Sequence, residues 1–373
     1  MKCKRCIMDS ISDNTMTFNE NGYCNYCTKG IDDLKRRYFP NKQGLEKLEE
    51  LLIRVKKDGV GKKYDCIMGI SGGLDSSYLA YLGSKWGLRV LAVHIDDGYD
   101  TEISKSNIKK LIDKTGFDYK VLKPDAEQFN ALTYAYMKAG VPNIAVPQDN
   151  ILFAFLYDFI KKYKINYFFS GSNLALESIY QTGNTWKNLD VVNIYDIHKK
   201  FGDKPINKLK FYSTIEKYVD RFKCNLQTVT PLDYIDYNRD RAFDELKDYC
   251  DFEYYGRKHL ENELTAFIQL RWYPEKFNVD KRTWHYSSMI ISGQMTREQA
   301  DLLMQEPIYD EAEMRKYESK IAQNIGISVD EINKMLKEPG HQHFEYKIED
   351  NTFHYKAFML LFNTAKKIRD ILR

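Results

Sequence analysis

Between residues 60 and 170, short apolar runs alternate with stretches of helical spacing. Asp65-Cys66-Ile67-Met68-Gly69-Ile70 has the length and bulk of a buried strand. It runs into Ser71-Gly72-Gly73-Leu74-Asp75-Ser76-Ser77, and Tyr78 to Gly83 continues as a helix. Leu88 to Asp96 reads as a second strand, Ile103 to Lys114 as a helix and Tyr119 to Leu122 as a third strand. A long apolar helix over Asn150 to Tyr163 precedes a fourth strand, Asn166 to Phe169, which ends in Ser170-Gly171-Ser172-Asn173. Strand–helix alternation predicts an α/β fold, a parallel sheet with helices on both faces. Ligands then sit beyond the carboxyl ends of the strands, where segments 71–77, 94–98 and 170–173 converge.

From about Pro231 the pattern turns helical and charged. Tyr237 to Tyr249 and a segment running through Arg271 have helical spacing, and cations are interleaved with aromatics as far as Arg297. Residues 300–373 read as further helices, with an amphipathic last segment from Tyr355 to Leu372. The expected units are therefore 1–58, 59–230 and 231–373.

The 373 residues suffice for two or three units with a sizeable core. Lys and Arg number 56 against 53 Asp and Glu, a net charge of +3, which excludes a basic nucleic-acid-binding tail but not a local basic pocket. The longest apolar stretch, Ile151 to Tyr157, ends at Asp158 and is too short to span a bilayer. With no apolar segment behind Met1-Lys2-Cys3-Lys4, the expectation is a cytoplasmic chain with no membrane and no nucleic-acid partner.

Four of the seven cysteines lie at one end, as Cys3-x2-Cys6, seventeen residues, then Cys24-x2-Cys27. Two such knuckles can bring four thiolates to one Zn2+, with Met16-Thr17-Phe18 as a strand and Asn21-Gly22 as a turn between them. A closed four-thiolate site serves folding rather than catalysis. Disulfides and a redox Cys-x-x-Cys pair are the competing readings. Cys66 reads as a core thiol.

The 71–77 segment has the parts of an anion cradle: two glycines, three serines and a helix N-terminus. It lacks the lysine of a Walker loop. Asp75 is a plausible Mg2+ contact or simply a first-turn carboxylate. Asp149 either holds Mg2+ or caps the long helix, capping being favoured. His94 can equally be a core histidine.

SGGLDSS resembles the pyrophosphate-binding loop of the PP-loop ATP pyrophosphatases, which split ATP to AMP and pyrophosphate. That resemblance implies that Ser71, Gly72, Gly73, Asp75, Ser76 and Ser77 hold ATP phosphates. It also implies that Ala92, Val93 and His94 meet adenine and ribose, and that Gly171 and Asn173 lie near the nucleotide. CKRCIMD…GYCNYC, SGGLDSS and KHLENELTAFIQ…PEKFNVDKR…SGQMTR together resemble the N-acetyl sugar amidotransferase family from Cys3 to about Arg297. The implied activity turns a sugar acetamido group into an acetamidino group in bacterial surface-polysaccharide or flagellar-glycan pathways. ATP would adenylylate the amide oxygen, Mg2+ would absorb phosphate charge, and ammonia would displace AMP. Lys258, His259, Lys281, Arg282, His285 and Arg297 are the candidates for the anionic substrate or leaving group. Of these, Lys281, Arg282 and His285 join Ser71 and Asp75 as candidate catalytic residues. The acceptor would be a nucleotide-linked diacetamido uronic acid or a pseudaminic- or legionaminic-type nonulosonate.

No glutaminase signature is visible: Lys2 follows Met1, and none of the seven cysteines sits in a G-x-C-x-G elbow. Ammonia is therefore expected from a separate glutaminase. The family resemblance implies one paired with a barrel subunit, as in imidazole-glycerol-phosphate synthase. Two alternatives remain. A PP-loop tRNA thiolase would often carry Lys at the position of Leu74, catalytic cysteines and a more basic chain. A non-catalytic scaffold would not need the intact loop.

Overall fold

The computed structural model describes residues 1–11 and 13–371, with side chains through 366 in its last helix. One parallel sheet has five strands: β1 (Cys66–Gly69), β2 (Val90–Ile95), β3 (Asp118–Leu122), β4 (Tyr167–Phe169) and β5 (Gln227–Val229). Their order is β3-β2-β1-β4-β5. The direction of winding reverses between β1 and β4, so a crevice opens at their carboxyl ends. Met68 pairs with Ala92 on one side and Phe169 on the other.

Alternation along the strands sorts the side chains. Cys66, Met68, Ile70, Val90 and Ala92 pack with Leu74, Leu79, Ile108 and Leu111. Ile67, Leu91 and Val93 pack on the opposite face with Ala154, Tyr157 and Ile160. Both faces are thus covered, as a continuous apolar strand requires. The covering helices are α3 (Leu74–Lys85) and α4 (Glu102–Thr115) on one face and α6 (Val146–Tyr163) on the other; α1 (Asn25–Arg37), α2 (Lys42–Asp58) and α5 (Ala126–Ala139) complete the first half of the chain.

Several local expectations change. α6 starts at Val146 with Ala145 as its N-cap residue, so Asp149 lies in the first turn and caps nothing. The expected Met16–Phe18 strand shrinks to one bridge, Phe18 with Cys24, closed by Gly22 at φ +76°. The helix expected through Arg271 is Glu263–Phe267, a π-turn over Ile268–Trp272 and a further turn over Tyr273–Phe277. The last helix runs Phe353–Ile371, and Leu372 lies outside the described residues. No helix among the described residues is long and apolar enough to cross a membrane.

A third core cluster joins Cys3, Cys6, Cys24 and Cys27 to Phe129 and Tyr136 of α5 and to Trp272, Ile321 and Ile332. Residues from all three expected units therefore share it. The Cys3–Cys27 and Cys6–Cys24 Sγ distances are both 3.7 Å, and all four sulfurs lie within 4.8 Å of one another. A tetrahedral ion with metal–sulfur bonds of about 2.3 Å sets sulfur–sulfur edges of about 3.8 Å, so the donor set fits such an ion. The spacing is far beyond the ~2.05 Å of a disulfide. Backbone N–H groups of Cys24 and Cys27 donate to the Cys3 and Cys24 sulfurs at 3.2 and 3.3 Å, as suits anionic thiolates. The knuckles are tied to the far end of the chain: the Ile7 amide donates to Ser287 Oγ, and Arg297 donates to the Cys3 carbonyl.

Cys24→Ser is expected to lose one bound metal ion per chain, read by elemental mass spectrometry, and to lower the thermal midpoint. Unchanged metal content would refute the four-thiolate site.

Candidate functional site

β1 delivers the glycine–serine loop to the crevice. Gly72 has φ +77°, and a Cβ there would lie 2.5 Å from the Ser104 carbonyl oxygen. A side chain would therefore clash as well as strain the turn. Gly73 is the N-cap of α3 and offers no side chain to cap the first amides of the helix. Ser76 Oγ accepts from the Ser71 amide at 3.3 Å, and Ser71 Oγ accepts from the Gly73 amide at 3.2 Å. Ser77 Oγ is buried with no partner among the described residues. The loop after β4 comes close: a Cβ on Gly171 would stand 3.1 Å from the Ser76 nitrogen.

Two C-terminal residues close over the loop. The Leu74 amide donates to Tyr255 Oη at 2.8 Å, and Ser71 Oγ donates to Glu261 Oε1 at 3.2 Å. Glu261 Oε2 is buried and has no partner among the described residues. Asp75 is occupied on both oxygens: Tyr237 Oη donates to one, and Lys258 Nζ lies 2.6 Å from the other. Lys258 also lies 2.9 Å from Glu177 Oε1, and His259 Nε2 lies 3.4 Å from the same oxygen. His259 holds φ at +63°, a strained conformation for a non-glycine residue, and its ring is 5.6 Å from that of His285.

Burial shapes the charges. It pulls the Lys258 ammonium down, but Asp75 and Glu177 outweigh it and hold Lys258 above its ordinary value. Burial pushes Glu177 up, yet the charges of Lys258 and His259 hold it well below the usual carboxylate range. Lys281 has no such carboxylate contact, and burial lowers it to about 8. Its ammonium lies 3.7 Å over the Trp284 ring. Burial, with the charges of His259, Lys258 and Lys281, keeps His285 well below its ordinary value and therefore neutral. Burial raises Asp149 to about 6 against the pull of His259 and Lys281, and burial with Asp100 raises Asp97 to about 6.

A cavity of about 370 Å³ lies at the β1–β4 crevice, lined by Ser71, Val93, His94, Asp149, Gly171 and His259 among others. A second, of about 360 Å³, shares His259 and is lined by Asn173, Glu177, Lys281 and His285. The structure thus brings Ser71, Val93, Gly171, Asn173, His259, Lys281 and His285 to adjoining spaces, with Lys258 and Asp75 beside them. Four expected residues have other work. Ala92 packs on the opposite face of β2. His94 is a bridge, Nδ1 to the Ile70 carbonyl and Nε2 to Asp100, each at 2.8 Å, although its ring still borders the cavity. Arg282 is filled by Asp280 and the Glu306 carbonyl. Arg297 clamps the Cys3 carbonyl and Asp301. Asn173 also caps the short helix α7 (Leu174–Glu177) through the Leu176 amide at 2.9 Å. Sequence reasoning missed Glu177, Tyr237, Tyr255 and Glu261. Only Tyr255 and Glu261 had a signal, flanking the Lys258-His259 pair.

Lys258→Met is expected to destabilise the fold by about 3–5 kcal/mol at pH 8, because it leaves two buried carboxylates facing each other. Without Lys258, burial pushes the Glu177 carboxyl above its unfolded value, so the lost stability returns as pH falls and is lost as pH rises. Urea unfolding at pH 5 and pH 8 checks this; an equal loss at both would contradict it.

Comparison with known proteins gives two family matches on this chain. Residues 65–183 match the queuosine biosynthesis protein QueC family, and residues 261–361 match the C-terminal domain of LPS biosynthesis protein WbpG-like proteins. A tRNA-specific 2-thiouridylase MnmA 2 of Fusobacterium nucleatum is 29% identical over 119 residues, which is 30% of this chain and 34% of the thiouridylase. The chain therefore matches about a third of that relative's length. Among solved structures, an NH3-dependent NAD synthetase from Campylobacter jejuni has a TM-score of 0.30 and 15% identity over 60% of this chain and 96% of its own. A U34-tRNA thiolase, NcsA, from Methanococcus maripaludis has 0.33 and 12% over 86% and 88%. With the loop at 71–77 on a parallel sheet and the WbpG-like segment closing over it, the two matches support an N-acetyl sugar amidotransferase within the PP-loop ATP pyrophosphatase superfamily.

Proposed function

We propose that the protein is an ATP-dependent amidotransferase that converts a sugar acetamido group into an acetamidino group. One observation carries this reading. The QueC-like segment supplies the floor of the 370 Å³ cavity with Ser71, Val93 and Gly171, and the WbpG-like segment supplies its wall with Glu261, Asn262 and Thr265. ATP in this cavity would face an acceptor in the neighbouring one, across His259.

The amide oxygen attacks the α-phosphorus of ATP and expels pyrophosphate. Ammonia then adds to the activated carbon, loses a proton, and displaces AMP, which carries the amide oxygen away. Open amides at the start of α3 and the Ser71 and Ser77 hydroxyls would receive the phosphate oxygens. Lys281, poised near pH 8, and neutral His285 border the acceptor space and can take the proton that ammonia loses. Mg2+, when bound, neutralises phosphate charge. Its expected contact at Asp75 is occupied by Tyr237 and Lys258. Glu261 and Asp149 offer the better donor set, because Glu261 Oε2 has no partner among the described residues and Asp149 forms no ion pair with a lysine or arginine there. The four-cysteine site suits Zn2+ in a structural role. The acceptor is read as a diacetamido sugar of a bacterial surface-glycan pathway, and the ammonia as the product of a separate glutaminase with its barrel subunit, all in the cytoplasm. tRNA thiolation gains support from the thiouridylase match. Cys66, Cys224 and Cys250, however, are not among the residues lining the two cavities.

The chain with ATP, Mg2+, ammonium and a panel of diacetamido sugars is expected to release pyrophosphate and AMP and to replace one sugar oxygen by NH, read by mass spectrometry. Glutamine in place of ammonium should give no product with the pure chain. Pyrophosphate release driven by tRNA instead would favour thiolation.

The Glu261 carboxylate stands beside the phosphate loop, so a phosphate there is repelled unless a cation bridges them. Glu261→Gln is expected to let ATP bind without Mg2+ more tightly than the wild type, while turnover with Mg2+ falls roughly tenfold or more. Unchanged Mg2+ dependence of ATP binding, read by calorimetry, would refute the assignment.

A further inference from the structure

Beyond the two cavities lies a third, of about 210 Å³, on the far side of Lys281 and His285, which line both it and the 360 Å³ cavity. Its lining is rich in cations: Arg239, Arg257, Lys258, Lys281 and Arg282, against Asp280 and Glu306. The cations differ in how far they are already satisfied. Lys258 is held by Asp75 and Glu177, and Arg282 by Asp280. Arg257 donates Nη2 to the Ile308 carbonyl, but its Nη1 is buried with no partner among the described residues. Arg239 donates to the Tyr254 hydroxyl and lies 5.0 Å from the centre of that ring. Its carboxylate contact is Asp240 at 3.8 Å, 87% exposed, and so largely screened by water.

A buried guanidinium nitrogen without an acceptor costs desolvation free energy that an incoming anion would recover. Two forks with unspent donors in one enclosed space match the flat, bidentate geometry of a carboxylate or a phosphate. The remaining lining includes Leu176, Leu260, Leu270 and Met289, which suits the apolar face of a ring rather than a water-filled channel.

We propose that this cavity is the subsite for the anionic end of the acceptor, a carboxylate or a phosphate on the sugar, with Arg239 and Arg257 as its binding residues. The proposal rests on the amidotransferase reading for the word acceptor, but the anion site itself does not depend on it. A sugar anchored there extends past Lys281 and His285 toward His259 and the nucleotide cavity. The chain thereby selects an acidic sugar over a neutral one before any chemistry occurs.

The test uses the full chain with the nucleotide loop filled by Mg2+ and α,β-methylene-ATP, so that added anions cannot occupy it. Calorimetry then compares N-acetylglucosamine 1-phosphate, glucuronate and neutral N-acetylglucosamine. One or both charged sugars should bind, and the neutral one should bind roughly tenfold or more weakly. The stronger charged arm tells phosphate from carboxylate. Arg257→Gln and Arg239→Gln should each weaken the anion by a similar factor while leaving the analogue's affinity unchanged. Arg239, whose side chain is 35% exposed, guards against a folding failure at Arg257. Equal binding of charged and neutral sugars, or an anion affinity that survives both substitutions, would overturn the proposal. Failure of the analogue to bind would instead sink the nucleotide reading, and the anion arms would then be compared with the variants without it.

Discussion

The ion pair network at Lys258 holds the two halves of the site in register. Its ammonium sits between Asp75, at the start of the helix that follows the phosphate loop, and Glu177, at the end of the helix that follows β4. Those two carboxylates belong to neighbouring strand ends and would repel each other in a buried space. Lys258, from the C-terminal segment, bridges the two and offsets their repulsion, with His259 beside Glu177. Tyr237 and Tyr255 complete the closure by bonding Asp75 and the Leu74 amide.

Which parts of this were legible in the sequence follows from the range of the interactions. β1, β2 and β4 were readable because each is a local apolar run packed on both faces, whereas β3 is a largely exposed edge strand marked only by the short run Tyr119 to Leu122. The phosphate loop was readable because Gly72 and Gly73 answer a steric demand of the backbone itself. β5 was not, since Gln227-Thr228-Val229 is a short edge strand of mixed polarity. Helix α5, with Phe129, Leu132, Ala135 and Tyr136 all buried, carries apolar residues around most of its girth and so offers little amphipathic signal. At the site, residue type alone could not distinguish Arg282 and Arg297, which satisfy nearby acceptors, from Arg239 and Arg257, which keep donors in reserve. That distinction depends on partners distant in the chain, as does the meeting of Glu177 with Lys258.

The cysteine knuckles extend the same logic to the whole molecule. An isolated stretch of this length could not bury a core of its own, and a metal ion held by the four cysteines would supply the missing cross-links. The knuckles then pack on the helix Arg282–Ile291 through the Ile7 amide and Ser287, on the helix that carries His285. The cysteine cluster therefore braces the helix whose Lys281 and His285 end borders both the 360 Å³ and the 210 Å³ cavities.

A phosphate loop covered by a carboxylate and a tyrosine has a direct consequence for the order of events. Nucleotide entry must exchange the Ser71–Glu261 hydrogen bond and the Leu74–Tyr255 hydrogen bond for bonds to phosphate. Both displaced groups belong to the C-terminal part, within seven residues of the Lys258-His259 pair. His259 is already held at a positive φ, so the segment between Tyr255 and Glu261 stores strain that a shift of either end can relieve or redirect. One short segment thus carries both the groups that nucleotide entry would displace and the wall at His259. The 360 Å³ cavity shares the His259 wall, so in the proposed reaction a shift of that segment would alter how the second substrate is presented.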